Sequence, residues 1–368
     1  MALFFDDEPR PRRRGVRVGW TFLLVAILGT TALAWMPSAY VVQQPGSTFD
    51  TLGSVTIGDE EVELIEIPDQ TVYPTEGSLR LLTVGVVGSR RTPVPWIDIV
   101  QAWFDPSKAV IPVDVVYPRG QTVEQSNEEN QLLMNESQQA AAAAALVELG
   151  HDIQTVLTVR SVVPDSPADG KVQVGDQIVA ANGVDLMDAA SLQTQVAETE
   201  PGEQVELEVL RDGTEAEVSL TPAEAFAPHP IIGVSVETSY DFPFEVDIQL
   251  EDVGGPSAGM MFALGIVDKL TPGAMTGGEE VAGTGTLTAS GQVGRIGGIR
   301  QKLYGAVDSG AAWFLAPAGN CGEVVGHIPD GLNVFSVSTL DDALEAVEGI
   351  SDGNTAGLLT CETDGGSA

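Results

Sequence analysis

Hydrophobic and polar positions follow several different periods along this chain, and each period predicts a different kind of element. From Val16 to Met36 there is no period, because VRVGWTFLLVAILGTTALAWM holds no charge beyond Arg17. Its 21 residues predict a helix of about 31 Å at 1.5 Å per residue, the thickness of a bilayer core. Residues 40–116 then read as β-rich, with SVTIG, VELIEI and SLRLLTVGVVG as short β-branched runs between Gly, Pro and Asp turns. SNEENQLLMNESQQAAAAAALVELG predicts a helix over 126–150. Ser126 and Glu129 form a capping box, six alanines (140–145) favour the helix, Leu132, Leu133, Leu146 and Leu149 give it an apolar side, and Gly150 stops it.

Residues 151–222 read as a separate unit. A first strand is followed by a turn at Ser166-Pro167-Ala168, and a second strand runs from Gln177 to Ala181. Asn182-Gly183 makes a tight turn, AASLQTQVAE a short helix, and QVELEVLRDGTEAEVSLT a hairpin about Asp212-Gly213. From 223 to 349 strands alternate with helices. EVDIQL and AAWFLAP read as strands, EEVAGTGTLTASGQVG as hairpin-like, and SAGMMFALGIVDKL, RQKLYGAVDSG and LDDALEAVEGI as helices. The tail 350–368 is rich in Gly and Asp and reads as flexible.

Charge adds a direction and an exclusion. Arg10, Arg12, Arg13, Arg14 and Arg17 precede the apolar run and acids follow it. The expected topology therefore has residues 1–15 in the cytoplasm, a single transmembrane helix over 16–36, and the body outside the cell membrane. A cleaved signal peptide is the alternative, since Ala32-Leu33-Ala34 fits an A-x-A site, but the apolar run exceeds the usual 7–15-residue signal core. A net charge of −36 repels phosphate backbones and excludes nucleic acid as a partner. His151, His229 and His327 show no metal-ligand spacing, so neither metal nor cofactor is expected. Cys321 and Cys361 fit a disulfide and two free thiols equally well.

One short stretch carries candidate chemistry. In EDVGGPSAGM, Ser257 is flanked by small residues that leave its hydroxyl uncrowded, as a nucleophile or a helix N-cap requires. A serine attacks only when a neighbour takes its proton. His327 is one candidate base, because Gly255 to Gly259 satisfies G-x-S-x-G and Ser257, Asp308 and His327 occur in hydrolase order. That motif needs a strand ending at the serine, whereas six residues separate Leu250 from Ser257. Lys302, opening a helix behind Gly297-Gly298, is the other candidate. A helix N-terminus and burial would both disfavour its ammonium form. The backbone N–H groups at the helix start beside Ser257 could serve a developing oxyanion.

GGPSAG, then GTGTLTASGQVGRIGGIRQKLYGA, then FLAPAGN resembles the proteolytic domain of the Lon family of Ser-Lys proteases over most of 231–349. The resemblance implies Ser257 as nucleophile, Lys302 as general base and Thr284 as a hydroxyl that bonds the lysine. Pro317 and Asn320 match the family's P-x-x-N. Gly283-Thr284-Gly285-Thr286 stands where the family usually has Met-Thr-Gly-Glu, so that glutamate is missing here. SPADGKVQVGDQIVAANG resembles a PDZ domain of the bacterial protease-associated kind, whose relatives add a peptide strand to a sheet edge. The peptide-carboxylate loop is expected near Gly150 to Gln154. No G-x-x-x-x-G-K-[ST] occurs in the sequence, which implies hydrolysis without ATP.

The expected fold class is α+β, with an N-terminal transmembrane helix and a Lon-type proteolytic domain of mixed sheet and helices, interrupted by an inserted PDZ domain. On this reading 37–125 is the first part of the protease domain, 126–150 a helix, 151–222 the PDZ domain and 223–349 the main proteolytic segment. The expected enzyme is a membrane-anchored serine endopeptidase acting on protein and peptide substrates, and the family resemblance implies a homo-oligomeric ring. The competing expectations are a non-catalytic PDZ adaptor and a Ser-His-Asp hydrolase.

Overall fold

The computed structural model describes residues 14–200, 202–223, 230–250 and 253–364. In chain order, helix α1 (Arg14–Ala34) precedes strand β1 (Tyr40–Asp50), the hairpin β2 (Ser54–Ile57) and β3 (Glu60–Glu63), the short β4 (Ile65–Glu66) and β5 (Ser78–Val87). Next come α2 (Trp96–Trp103), β6 (Ala109–Pro112), α3 (Val113–Val116) and the long α4 (Val123–Glu148). The chain divides into two compact units, one of residues up to Gln44 with Val86–Val123, the other of Pro45–Gly85 with the chain from Glu124 onward.

In the first unit, Tyr40–Gln43 of β1 pair antiparallel with Pro112–Ala109 of β6. Val42, Val94, Ile99 and Ala102 form its small core, and Trp96 meets Tyr40 and Trp103 edge-on at 5.8 and 6.5 Å. Helix α2 was not foreseen within the β-rich reading of 40–116; its core-facing residues are Ile99 and Ala102.

The expected transmembrane helix over 16–36, and the localisation built on it, are overturned. No helix among the described residues is long and apolar enough to cross a membrane. Helix α1 starts among arginines and ends at Ala34, so its stretch from Val18 to Ala34 offers roughly 17 residues, or about 26 Å, against a core of about 30 Å. Gly19, Thr21, Gly29, Thr30 and Thr31 dilute it further, and the Thr30 and Thr31 hydroxyls bond back to Ala26 O and Ile27 O at 2.9 and 2.8 Å. The expected cytoplasmic segment before Arg14 lies outside the described residues.

In the second unit, α4 begins three residues before Ser126, so the expected capping box falls inside its first turns. Its buried face also differs from the expectation. Leu132 and Leu133 are exposed, while Met134, Ser137 and Ala141 to Leu146 are buried. Alanines let the helix backbone lie close against the core, so small residues make most of this contact, joined by Leu146 and Leu149.

The PDZ segment follows as β7 (Gln154–Val162), β8 (Gln177–Ala181), β9 (Val184–Asp185), α5 (Ala189–Glu198), β10 (Val205–Arg211) and β11 (Thr214–Leu220). Its two tight turns fall at the expected dipeptides, with positive φ at Asn182 (51°) and Gly183 (73°), and at Asp212 (50°) and Gly213 (78°). Leu157, Val159, Ile178, Leu192, Val196 and Leu207 are among its core residues. Strand β12 (Val234–Asp241) adds to the same sheet, antiparallel to β7 from Val234↔Val162 to Asp241↔Gln154. Val234 and Val236 pack against the PDZ core. The sheet runs β11-β10-β8-β7-β12, so β7 is paired on both sides and β12 is the edge strand that contacts α5. The strand that follows the carboxylate loop expected near Gly150 to Gln154 therefore has no free edge, because this chain already pairs it on both sides.

The remaining chain gives β13 (Asp247–Ile248), α6 (Gly259–Leu270), β14 (Glu280–Gly283), β15 (Thr286–Leu287), β16 (Val293–Gly294) and α7 (Ile299–Asp308). It closes with β17 (Trp313–Pro317), α8 (Cys321–Val324), β18 (Asn333–Val337), α9 (Leu340–Ser351) and α10 (Cys361–Asp364). The expected strand EVDIQL shrinks to β13, paired with β4. The main strands run β18-β17-β14-β5-β1, with β5, β14, β17 and β18 mutually parallel. Neighbouring residues on each strand serve opposite faces. Leu81, Val281, Leu315 and Phe335 join a core with α4, α6 and α9, while Leu82, Ala282, Phe314 and Val334 join one with α7 and α8. The strands are thus apolar on both faces, as parallel strands covered by helices must be. The tail is pinned as far as Asp364, contrary to expectation. Cys361 is disulfide-bonded to Cys321 and Thr360 bridges to Phe335.

Candidate active site

Helix α6 lies on one face of the main sheet and α7 on the other, and residues from both meet just beyond the end of β14. Ser257 sits two residues before α6, whose N-cap position is taken by Ala258, so the serine hydroxyl does not cap that helix. Its backbone is held from several sides. Gly255 N donates to Asn130 O at 2.8 Å, and Ser137 Oγ donates to Pro256 O at 2.9 Å. Gly285 N and Thr284 Oγ1 both donate to Ser257 O at 2.9 Å. Gly254 is required here, because a Cβ would lie 2.7 Å from Asn130 Cβ.

Lys302 lies in the first turn of α7, which starts behind Gly298 in a left-handed conformation (φ 70°). A Cβ on Gly298 would meet Val84 Cγ2 at 2.8 Å, so glycine answers both the backbone angle and the close approach. Lys302 Nζ lies 2.7 Å from Ser257 Oγ and donates to Thr284 Oγ1 at 2.8 Å. The Thr284 hydroxyl donates its own proton to Ser257 O, so it accepts from the amine. Lys302 is 2% exposed and Thr284 1%. Burial alone pushes the lysine down to about 7. An amine poised there has a lone pair available for the serine proton at neutral pH.

The three expected residues Ser257, Lys302 and Thr284 thus come together. His327 and Asp308 do not join them. His327 is exposed, with Nδ1 beside Val325 O at 3.2 Å, and neither residue lines the cleft. The expectation of free N–H groups at the start of α6 is reduced by one, since Met260 N donates to Gly285 O at 3.2 Å.

The cleft over Ser257 is about 660 Å³ in volume, and its lining includes the apolar Phe49, Leu81, Met134 and Ile296 together with Thr286 and Arg295. Asn320 is fully buried and clamps Ile296, donating from Nδ2 to Ile296 O and accepting from Ile296 N at Oδ1, both at 2.9 Å. Sequence reasoning missed the clamp from α4. Its signal was available, since Asn130, Met134 and Ser137 are spaced four and three apart and share one helix face.

Two family descriptions match the chain. Residues 121–221 match the PDZ domain, and residues 251–348 match the Lon protease (S16) C-terminal proteolytic domain. A Lon protease of Azospirillum brasilense is 38% identical over 94 residues, 25% of this chain and 11% of that protein. Lon protease 1 of Bacillus subtilis is 34% identical over 109 residues, 29% and 14%. A Lon protease of Helicobacter pylori is 32% identical over 145 residues, 38% and 17%. The chain therefore spans only 11–17% of the length of these relatives. Among solved structures, the PDZ domain of an SdrC-like protein of Listeria innocua is 23% identical, covering 22% of this chain and 92% of that one, with a TM-score of 0.21. Alongside its PDZ domain, the chain carries in residues 251–348 a Lon-type serine peptidase domain.

Proposed function

We propose that this chain is a serine endopeptidase that works through a Ser257–Lys302 dyad and needs no nucleotide. The observation that carries the reading is a buried lysine amine 2.7 Å from an uncrowded serine hydroxyl, at the floor of a cleft wide enough for a peptide. Neutral Lys302 takes the Ser257 proton as Oγ attacks the peptide carbonyl carbon. The resulting ammonium returns that proton to the departing amine, and water then releases the acyl group by the same exchange in reverse. Thr284 holds the amine by accepting one of its hydrogens, which leaves the lone pair directed at Ser257 Oγ. Phe49, Leu81 and Met134 favour an apolar side chain next to the scissile bond.

The PDZ domain serves protein substrates in this reading. Its edge strand β12, bordered by α5, is where an extended segment would add by main-chain hydrogen bonding. The test is labelling of the purified chain with a fluorophosphonate probe, together with cleavage of casein with and without ATP and magnesium. Label on the wild-type chain, none on Ser257→Ala, and casein cleavage indifferent to ATP are expected. Undiminished label on Ser257→Ala would refute the nucleophile, and several-fold stimulation by ATP would refute nucleotide independence.

A further inference from the structure

Asp188 is the N-cap of the PDZ helix α5, and its two carboxylate oxygens have different partners. Oδ1 accepts from Ser191 N at 2.7 Å and closes a capping box. Oδ2 accepts from Ala289 N at 2.9 Å, outside the PDZ sheet altogether. Ala289 is the second residue of the turn Thr288–Gly291, closed by Gly291 N donating to Thr288 O at 2.9 Å, at the tip of the β15–β16 hairpin. Asp188 is 6% exposed and Ala289 1%. A cap requires one oxygen, and serine caps about as well as aspartate. The second oxygen is needed only for Ala289, and a carboxylate makes that bond a charge-assisted one.

The other end of the hairpin holds the nucleophile. Its ladder is short, Thr286↔Gly294 and Leu287↔Val293. Immediately before it, Gly285 N and Thr284 Oγ1 grip Ser257 O, and Gly285 O accepts from Met260 N. Immediately after it, Arg295 and Ile296 line the cleft. Two bonds to the segment entering α9 steady the same hairpin, Val293 N of β16 to Ser338 O and Leu340 N to Gly291 O at the tip, both 2.8 Å. The hairpin tip is therefore held between α9 and the PDZ helix, and its base sets the backbone of Ser257.

We propose that Asp188 is a positioning residue for hydrolysis, tying the PDZ helix to the hairpin that orients Ser257. The proposal rests on Ser257 being the nucleophile. Asp188→Ser keeps a good cap with a side chain too short to reach Ala289. Ala289→Pro removes the donor at a turn position that proline favours. In the full chain each variant should lower the limiting fluorophosphonate acylation rate, kinact, about tenfold, as expected for one charge-assisted hydrogen bond. KI should stay within about twofold, because the cleft itself is not rebuilt. The double variant should lose no more than either single one, since both remove the same bond. The two variants fail differently if folding is at fault, so a matching loss in both supports the bridge. Wild-type kinact in Asp188→Ser, or additive losses in the double variant, overturns the proposal while Ser257 labelling stands. A wild-type chain that takes no label at all overturns the nucleophile and this proposal together.

Discussion

Changing the charge state of Lys302 should move both rate and stability, in directions fixed by its burial. An ordinary lysine near 10.5 is neutral in only about one molecule in a thousand at pH 7.4, whereas a group at about 7 is neutral in roughly 70%. Burial therefore raises the competent fraction close to a thousandfold, and the lower basicity of the amine returns part of that gain. The acylation rate should rise with pH through one ionisation near 7 and level off by about pH 8.5. Lys302→Arg should fall at least about a thousandfold, because arginine keeps a charge it cannot shed. The measurement is kinact with a fluorophosphonate probe from pH 5 to 10. A rate still climbing with unit slope above pH 9, or an active Lys302→Arg, would refute the reasoning.

The same shift acts on folding with a definite sign. The folded-state value lies below the unfolded one, so between about 7 and 10.5 the unfolded chain binds more protons and stability rises with pH. The penalty is greatest below pH 7, on the order of 5 kcal/mol, and disappears above about 10.5. Lys302→Met removes the charge and keeps the shape, so it should be inactive yet more stable than wild type. Denaturant unfolding should show that advantage at pH 6.5 and little of it at pH 10.5. Equal stability of the two chains at both pH values would show that the lysine carries no such penalty.

Three further perturbations test the frame around the dyad. Asn320→Ala leaves Ile296 N and O without their protein partners at a half-buried place, so thermal unfolding should show a loss of roughly 1–3 kcal/mol, and probe KI should rise as the Ile296 wall loosens. Gly298→Ala puts a Cβ against Val84 at a positive φ, so labelling at Ser257 should fall even where circular dichroism shows a folded chain. Replacing Cys321 and Cys361 together with serine opens a closure across 40 residues and should cost about 4 kcal/mol in urea unfolding, with Ser257 labelling retained at low temperature.

Local signals in the sequence were strong where one residue decides the backbone. Asn182-Gly183 and Asp212-Gly213 placed both PDZ turns, and the apolar run of 313–317 was readable as the buried strand β17. Tertiary partners were less visible. Strand β12 alternates apolar and polar residues as any half-buried strand would, and nothing local says that its partner is β7 rather than a strand of the protease sheet. The same limit explains α4, where Leu146 and Leu149 do face the core, but Leu132 and Leu133 are exposed and the alanines take most of the contact. It also explains Asp188, whose cap was readable from Asp188 and Ser191 but whose second oxygen reaches across 101 positions of sequence. The apolar run near the N-terminus misled for a different reason. Its composition suggested a span, while the helix ends at Ala34 and its uncharged part is too short.

The environment of Lys302 also weighs between an enzyme and a mere scaffold for the PDZ domain. Among the described residues no ion pair offsets the charge of this buried amine, whose hydrogen-bond partners are two hydroxyls, Ser257 and Thr284. Compare Lys269, also buried, which donates to a carboxylate, Glu63, at 2.6 Å and to Ile65 O at 2.8 Å. A scaffold would be better served by a methionine at 302, or by a carboxylate beside it, since either removes a cost of several kcal/mol. Hydrolysis needs the opposite: an amine without a counter-charge, neutral near pH 7, aimed at a hydroxyl whose backbone is fixed. The Gly285 and Thr284 bonds to Ser257 O and the Asn130 and Ser137 bonds beside it supply that fixation. Of the two buried lysines among the described residues, Lys302 is the one without a carboxylate partner, and under the proposed dyad a neutral amine is what that place requires.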